Sequence, residues 1–307
     1  MKWYFLFFPI LLFMECKQAP VKKFDLEGHR GCRGIMPENT IPAMIKAIEL
    51  NVNTLEMDVI ISADNLPAGQ ARKVVVSHEP YFNHEITTLP SGDTIDEKNE
   101  WSYNIYQMTY DSIKSYDVGL KPHPRFPEQK KMKVVKPLLA DLIDSVEDYC
   151  TATYHPKVKY NIEIKSLDST DNIYHPAPEE YADLVMQIIF EKKISSRVII
   201  QSFDVRSLKI MRQKYPSIKL SFLVDVGSSI PLKNFKKLLG FKPNIISPDY
   251  SLLTQEIVDT LHQRGVSVIP WTVDDITSAK KLYEMGVDGI ITDYPDRINL
   301  ETISSKQ

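Results

Sequence analysis

The chain has 307 residues, of which 43% are hydrophobic and 25% charged, the balance of a soluble globular protein and not of a disordered or fibrous one. Formal net charge is −3, from 37 Lys and Arg against 40 Asp and Glu, with no basic block long enough for a nucleic-acid surface. Three cysteines are too few for a disulfide scaffold, and the length allows one large domain or two small ones.

Residues 3–14 read WYFLFFPILLFM, an unbroken apolar run behind Lys2, and Glu15-Cys16-Lys17 follows. A spanning helix needs about 20 apolar residues, so a run this short behind a basic residue predicts a secretory signal over 1–16. Cys16 directly after it resembles the lipid acceptor of a bacterial lipoprotein. The expectation is an exported protein of the periplasm or cell envelope, held to the membrane by lipid on Cys16; an ordinary cleaved signal or an uncleaved anchor is the alternative.

From 24 to 300 apolar runs alternate with helical patterns. Strands are expected at 24–28, 54–61, 73–77, 158–164, 197–203, 218–224, 244–247, 266–271 and 288–291, and helices at 41–50, 137–149, 178–192, 204–214, 231–239, 252–263 and 274–285. Strands separated by single helices imply parallel βαβ units. Nine runs are one more than a (β/α)8 barrel uses. Between 61 and 73 there is no room for a helical crossover, so 73–78 should return antiparallel to 54–61, turning near Ala68-Gly69. That fold brings His78 to the level of Glu56 and Asp58. The expected fold is an α/β TIM (β/α)8 barrel with one extra β-hairpin. Residues 80–136 are polar and rich in turns, too long for a simple connection, and are read as a cap inserted over the barrel mouth.

Barrel active sites gather at the C-terminal ends of the strands, and four ends here carry polar residues where core is expected. The first has Gly28-His29-Arg30-Gly31, followed by Pro37-Glu38-Asn39-Thr40. The second has Glu56 and Asp58, two apart and so on one face. The hairpin arm has His78 and Glu79, and the next strand has Asn161, Glu163 and Lys165 between apolar Ile162 and Ile164. Carboxylates facing a barrel interior are expensive unless paired or bound to metal. Glu56, Asp58 and Glu163 make a hard-oxygen set suited to Ca2+ or Mg2+. No HxH or CxxC spacing points to zinc. His29 and His78 fit a general acid and base near neutral pH, and Arg30 and Lys165 supply charge for a phosphoryl group. The plainer reading makes these residues ion pairs and a satisfied structural histidine, and leaves Asn39 or Thr40 as the cap of the helix at 41–50.

The ordered motifs HRG, PENT, LEMD, VVVSHE, NIEIK, QSFD, PWTVDD and GVDGIITDYPD resemble the glycerophosphodiester phosphodiesterase family, over about Glu27 to Asp296. The resemblance implies a TIM barrel, a divalent cation, and hydrolysis of glycerophosphodiesters to glycerol 3-phosphate and an alcohol. By position it makes Glu56, Asp58 and Glu163 metal ligands, His29 and His78 the acid–base pair, and Arg30 and Lys165 phosphate contacts. Gln201, Phe203 and Trp271, at the ends of the fifth and eighth runs, are expected to line the pocket, with inner-barrel core the alternative for the two aromatics. Glu79 stands where the family usually has Asp. Two other readings remain open: a barrel phospholipase D acting on sphingomyelin or lysolipids, with Trp101, Tyr103, Tyr106 and Tyr110 supplying a lipid groove, and a non-catalytic anchored binding barrel. The expected partner is a small-molecule substrate, with no nucleic acid or protein partner. Cys32, placed at the mouth, and Cys150, at a helix end, are not expected to pair.

Overall fold

The computed structural model describes Met1 and residues 24–63, 72–232, 234–298 and 303–304. The leader, Cys16 and the expected hairpin turn near Ala68-Gly69 lie outside the described residues. Chain order begins β1 (Asp25–Gly28), α1 (Ile41–Glu49), β2 (Thr54–Ile61), β3 (Val74–Val76), α2 (Tyr110–Ile113), α3 (Leu139–Ala152), β4 (Lys159–Ile164) and α4 (Pro178–Glu191). It continues β5 (Val198–Ser202), α5 (Val205–Lys214), β6 (Lys219–Val224), α6 (Phe235–Leu238), β7 (Ile245–Pro248), α7 (Gln255–Gln263), β8 (Ser267–Val268), α8 (Ile276–Glu284) and β9 (Gly289–Thr292).

Eight of these strands form a parallel sheet in the order β8-β7-β6-β5-β4-β2-β1-β9, and β3 pairs antiparallel with β2. Backbone bonds from Asp288 N to Val268 O (2.8 Å) and Ile291 N to Pro270 O (2.9 Å) bring the two ends together, giving a nearly closed TIM barrel. The hairpin register pairs Val59 with Val76 and Ile61 with Val74, which returns His78 to the level of Glu56 and Asp58.

Alternation along the strands separates two environments. Leu55, Met57 and Val59 of β2, and Tyr160, Ile162 and Ile164 of β4, point outward into the main core beneath the helices. The interior is divided. Ile199, Ile245, Ile269 and Ile291 form an apolar cluster along β5 and the chain from β7 to β9. Glu27, Glu56, Asp58, Asn161, Glu163 and Gln201 are buried on β1, β2, β4 and β5. The polar part of the barrel is therefore the part that carries the site.

Several expected elements are shorter than their sequence patterns, among them the following three. The strand over 266–271 narrows to Ser267–Val268, because Pro270 has no N–H for the ladder. The helix over 231–239 narrows to α6, closed by Gly240 at φ 78°. The helix over 252–263 begins only at Gln255, where the Thr254 side chain accepts from Ile257 N and Tyr250–Leu252 forms a 3-10 turn instead.

Residues 80–136 carry two 3-10 turns and α2 around a second apolar cluster, in which Phe82, Ile86, Ile95, Ile105, Ile113 and Val118 pack on Ile60 and Val75 of the hairpin. Most of its aromatic residues serve packing. Tyr103 and Tyr110 pack on this cluster, and Tyr106 joins the main core under the Arg72 guanidinium. Trp101 stays half exposed between Tyr81 and Tyr174. Cys32 does not sit at the mouth: it is buried under α1, its thiol donating to Ala43 O at 3.3 Å. Cys150 is also buried, and both thiols are free. Among the described residues no helix is long and apolar enough to cross a membrane.

Candidate active site at the barrel mouth

The turn after β1 is shaped by its backbone. Arg30 and Gly31 hold φ of 48° and 85°, a left-handed pair that folds the chain back over the end of β2. Gly31 N then donates to Glu56 O at 3.2 Å and Arg30 N to the Glu56 carboxylate at 2.8 Å. His29 is carried to the mouth by the same turn, its own N–H held by Thr292 O of β9 at 2.8 Å.

Register brings the carboxylates together. In the ladder between β2 and β4, Asp58 is opposite Glu163 and Glu56 is opposite Asn161. Glu56, Asp58 and Glu163 each offer an oxygen within 4.8 Å of the other two, and all three are buried. Burial pushes Glu56 well above the usual carboxylate range, and the Asp58 charge adds to it. Burial raises Glu163 to about 7, with Lys165 pulling against it and Asp58 pushing further. Asp58 goes the other way: against the cost of burial, His78, Arg30, Lys165 and the Asn39 amide hold it well below its ordinary value. Three hard, buried oxygen donors, two of them pushed toward the neutral form chiefly by burial, fit a divalent cation of the Ca2+ or Mg2+ type.

Each imidazole is held by a carboxylate. His29 Nδ1 lies 2.6 Å from Asp293 Oδ1 and His78 Nδ1 lies 2.5 Å from Glu79 Oε1. An ionised carboxylate only accepts, so Nδ1 carries the proton and Nε2 is left facing the site as an acceptor. His29 Nε2 is 3.9 Å from Glu56 Oε2. Burial lowers His29 to about 4 in spite of Asp293, and lowers His78 as well, with Arg30 and Lys165 adding to the effect.

The cations are already engaged. Arg30 donates from Nη1 to Glu38 Oε1 at 2.7 Å and its Nε is 3.3 Å from Asp58. Lys165 Nζ is 3.0 Å from Glu163 and 3.7 Å from Asp58. Glu38 thus serves the site through Arg30, while Thr40, with its side-chain oxygen accepting from Ala43 N, caps α1.

One cavity of about 380 Å3 is lined by His29, Arg30, Glu56, His78, Glu163 and Lys165 on one side, and by Phe203, Leu223, Asp225 and Trp271 on another. Asp58 lies with the other two carboxylates and is only 1% exposed. Phe203 is exposed and stands edge-on to Trp271 at 5.7 Å, and Trp271 Nε1 is pinned to Ser247 O at 2.9 Å. Both aromatics line the pocket, and Trp271 also packs on the inner-barrel cluster of Ile199, Ile245, Ile269 and Ile291. Gln201 lies at the cavity floor with both amide atoms engaged: Nε2 donates to Glu56 Oε1 at 2.8 Å and Oε1 accepts from Asn161 at 3.0 Å.

Four supporting residues were not expected from the sequence. Asn39, at φ 55°, donates to Asp58 Oδ2 at 2.9 Å and accepts from Asp58 N at 3.2 Å. Asp293, directly after β9, carries a signal that position alone supplies, an acid at the C-terminal end of a barrel strand. Arg33 binds it through two hydrogen bonds, at 3.0 and 2.8 Å. Arg125, from the 80–136 segment, reaches the cavity while paired with Glu85 at 3.0 Å.

Comparison with known proteins agrees with this fold. A glycerophosphodiester phosphodiesterase of Bacillus altitudinis is 30% identical over 278 residues, spanning 88% of this chain and 94% of its own. A solved Silicibacter pomeroyi structure assigned as a glycerophosphoryl diester phosphodiesterase is 26% identical, with a TM-score of 0.77 over 90% of this chain and 92% of that one. An Oleispira antarctica phosphodiesterase, solved with the product sn-glycerol-3-phosphate, shares the fold at 21% identity and a TM-score of 0.69, covering 92% of this chain and 97% of that one. The model of the glycerophosphoryl diester phosphodiesterase family matches residues 29–297, so the chain belongs to that family.

Proposed function

We propose that this phosphodiesterase hydrolyses glycerophosphodiesters to glycerol 3-phosphate and an alcohol with one divalent cation and two imidazoles. The observation that carries the reading is a buried carboxylate triad, two members of which line one cavity together with two carboxylate-held histidines and two cations. The product bound to the Oleispira antarctica phosphodiesterase is consistent with the same substrate class.

Glu56, Asp58 and Glu163 would hold Ca2+ or Mg2+, which supplies Lewis-acid neutralisation of the phosphoryl oxygens when bound. Arg30 and Lys165 contribute positive charge where the phosphate would lie. The Nε2 atoms of His29 and His78 divide the proton transfers: one, unprotonated, accepts the nucleophile's proton, and the other, entering as the imidazolium with a proton on Nε2 as well as Nδ1, protonates the departing alkoxide. Phe203 and Trp271 offer the apolar side of the cavity to substrate carbons. Tyr103, Tyr106 and Tyr110 are engaged in packing, which favours a small diester over a lysolipid that needs an acyl groove.

The test is a set of glycerophosphodiesters assayed with Ca2+, Mg2+ or EDTA. Chelation should abolish hydrolysis and either cation restore it, and His29→Ala or His78→Ala should lower kcat by roughly 10²–10⁴-fold. Full activity in EDTA would remove the metal from the mechanism. Export with a lipid anchor on Cys16 belongs to the same proposal, supported by the apolar run before it. A Cys16→Ser chain should then leave the membrane fraction, and unchanged fractionation would exclude the anchor.

A further inference from the structure

Glu27 faces the barrel interior from β1, two residues before His29, and is 0% exposed. No cation is paired with it among the described residues, since Lys159 pairs with Asp25 instead. Its Oε2 accepts from Asn161 Nδ2 at 2.7 Å, while Glu27 Oε1 and Asn161 Oδ1 have no partner. Two buried acceptors without a donor are costly. A single proton on Glu27 turns one of these acceptors into a donor.

The contacts continue toward the mouth in one direction. The Asn161 amide also donates to Gln201 Oε1 at 3.0 Å, which turns the Gln201 amide nitrogen to Glu56 Oε1 at 2.8 Å. The Asn161 nitrogen serves both acceptors at once, and Glu27 Oε2 is one of the two that hold it in that orientation. We propose that Glu27 is a positioning residue, which acts through Asn161 and Gln201 to aim the Glu56 carboxylate at a divalent cation. It does so as a neutral acid. Burial and the Asp25 charge favour that form, with the Asn161 bond and Lys159 opposing it. The inference rests on the divalent-cation reading given above.

Titration calorimetry of Ca2+ and Mg2+ into the metal-free full chain, beside hydrolysis and thermal melts, tests it. Glu27→Gln keeps one donor and one acceptor, whereas Glu27→Leu keeps similar volume with neither. Glu27→Gln should bind the cation within about twofold of wild type and keep its kcat/KM. Glu27→Leu should weaken the cation Kd roughly 10-fold. Gln201→Leu should weaken it similarly, and the double variant no further, because both act through one contact to Glu56. A tenfold loss of affinity in Glu27→Gln would overturn the role, as would unchanged affinity in a folded Glu27→Leu. If Glu27→Leu does not fold, the Glu27→Gln and Gln201→Leu results decide alone. A wild type that binds neither cation and works in EDTA overturns the cation reading and this inference together, whereas cation binding that Glu27 variants do not alter overturns this inference only.

Discussion

Asp293 shows what a carboxylate behind a histidine does at the scale of one residue. Its oxygen requires a proton on His29 Nδ1, and that leaves Nε2 with a lone pair toward the cavity. Asp293→Asn would present an amide N–H there as readily as a carbonyl, allowing the ring to adopt the other tautomer. A kcat loss of roughly 10²–10⁴-fold is expected from steady-state kinetics, of the order seen when a general acid or base is disabled. An activity within threefold of wild type would mean that Asp293 does not set the tautomer. Glu27 yields a second prediction, with a sign set by linkage. Its folded-state value is raised to about 8 from an ordinary 4.5, so the native protein keeps a proton that the unfolded chain gives up. The stability contributed by the neutral acid is fully present below about pH 4.5 and is lost as pH rises toward 8. Glu27→Gln cannot ionise. Its unfolding free energy relative to wild type should therefore grow from pH 5 to pH 8, at up to about 1.4 kcal/mol per pH unit, as read by urea denaturation. A constant difference across that range would show that Glu27 is ionised in the folded protein.

Among the elements, the β1–α1 turn has the least freedom. A Cβ on Gly31 would sit 2.7 Å from the backbone carbon of Ala43 and would hold φ at 85°. Gly31→Ala should cost about 1–3 kcal/mol in a urea titration from backbone strain alone. It should also impair catalysis, because the same turn delivers Arg30 N to Glu56 and His29 to the mouth; full activity would show that the turn can shift without loss. The hairpin of β2 and β3 was legible in the sequence because a parallel crossover cannot fit between 61 and 73, and its register follows from alternation. The carboxylate triad was legible for a related reason: polar residues two apart in an apolar strand must share the inner face. What stayed hidden depends on contacts far apart in the chain. Asn39 reads as a helix cap until the turn brings it to Asp58, and Asp293 meets His29 across 264 residues. Cys32 follows His29 closely, yet the left-handed turn sends it inward beneath α1. The short β8 departs from its apolar pattern because Pro270 has no N–H for the ladder, and α6 begins four residues after its pattern does.

Charge is distributed across the whole molecule in a way that the net value of −3 conceals. Buried carboxylates and buried cations meet at one end of the barrel in near balance: Glu38 with Arg30, Asp293 with Arg33, and Glu163 with Lys165. Paired charges of this kind project little field beyond the mouth, and Arg125 is itself offset by Glu85. Long-range attraction of an anionic diester, which requires an uncompensated potential extending over roughly a Debye length of 10 Å at 0.1 M salt, is therefore weak. The short-range interactions are screened much less, because the groups that make them are buried. It follows that kcat/KM should vary by less than about threefold between 50 and 500 mM NaCl at fixed divalent cation, with any change confined to KM. A tenfold fall in kcat/KM with salt would instead place an unbalanced positive field at the barrel mouth, contrary to the pairing seen there.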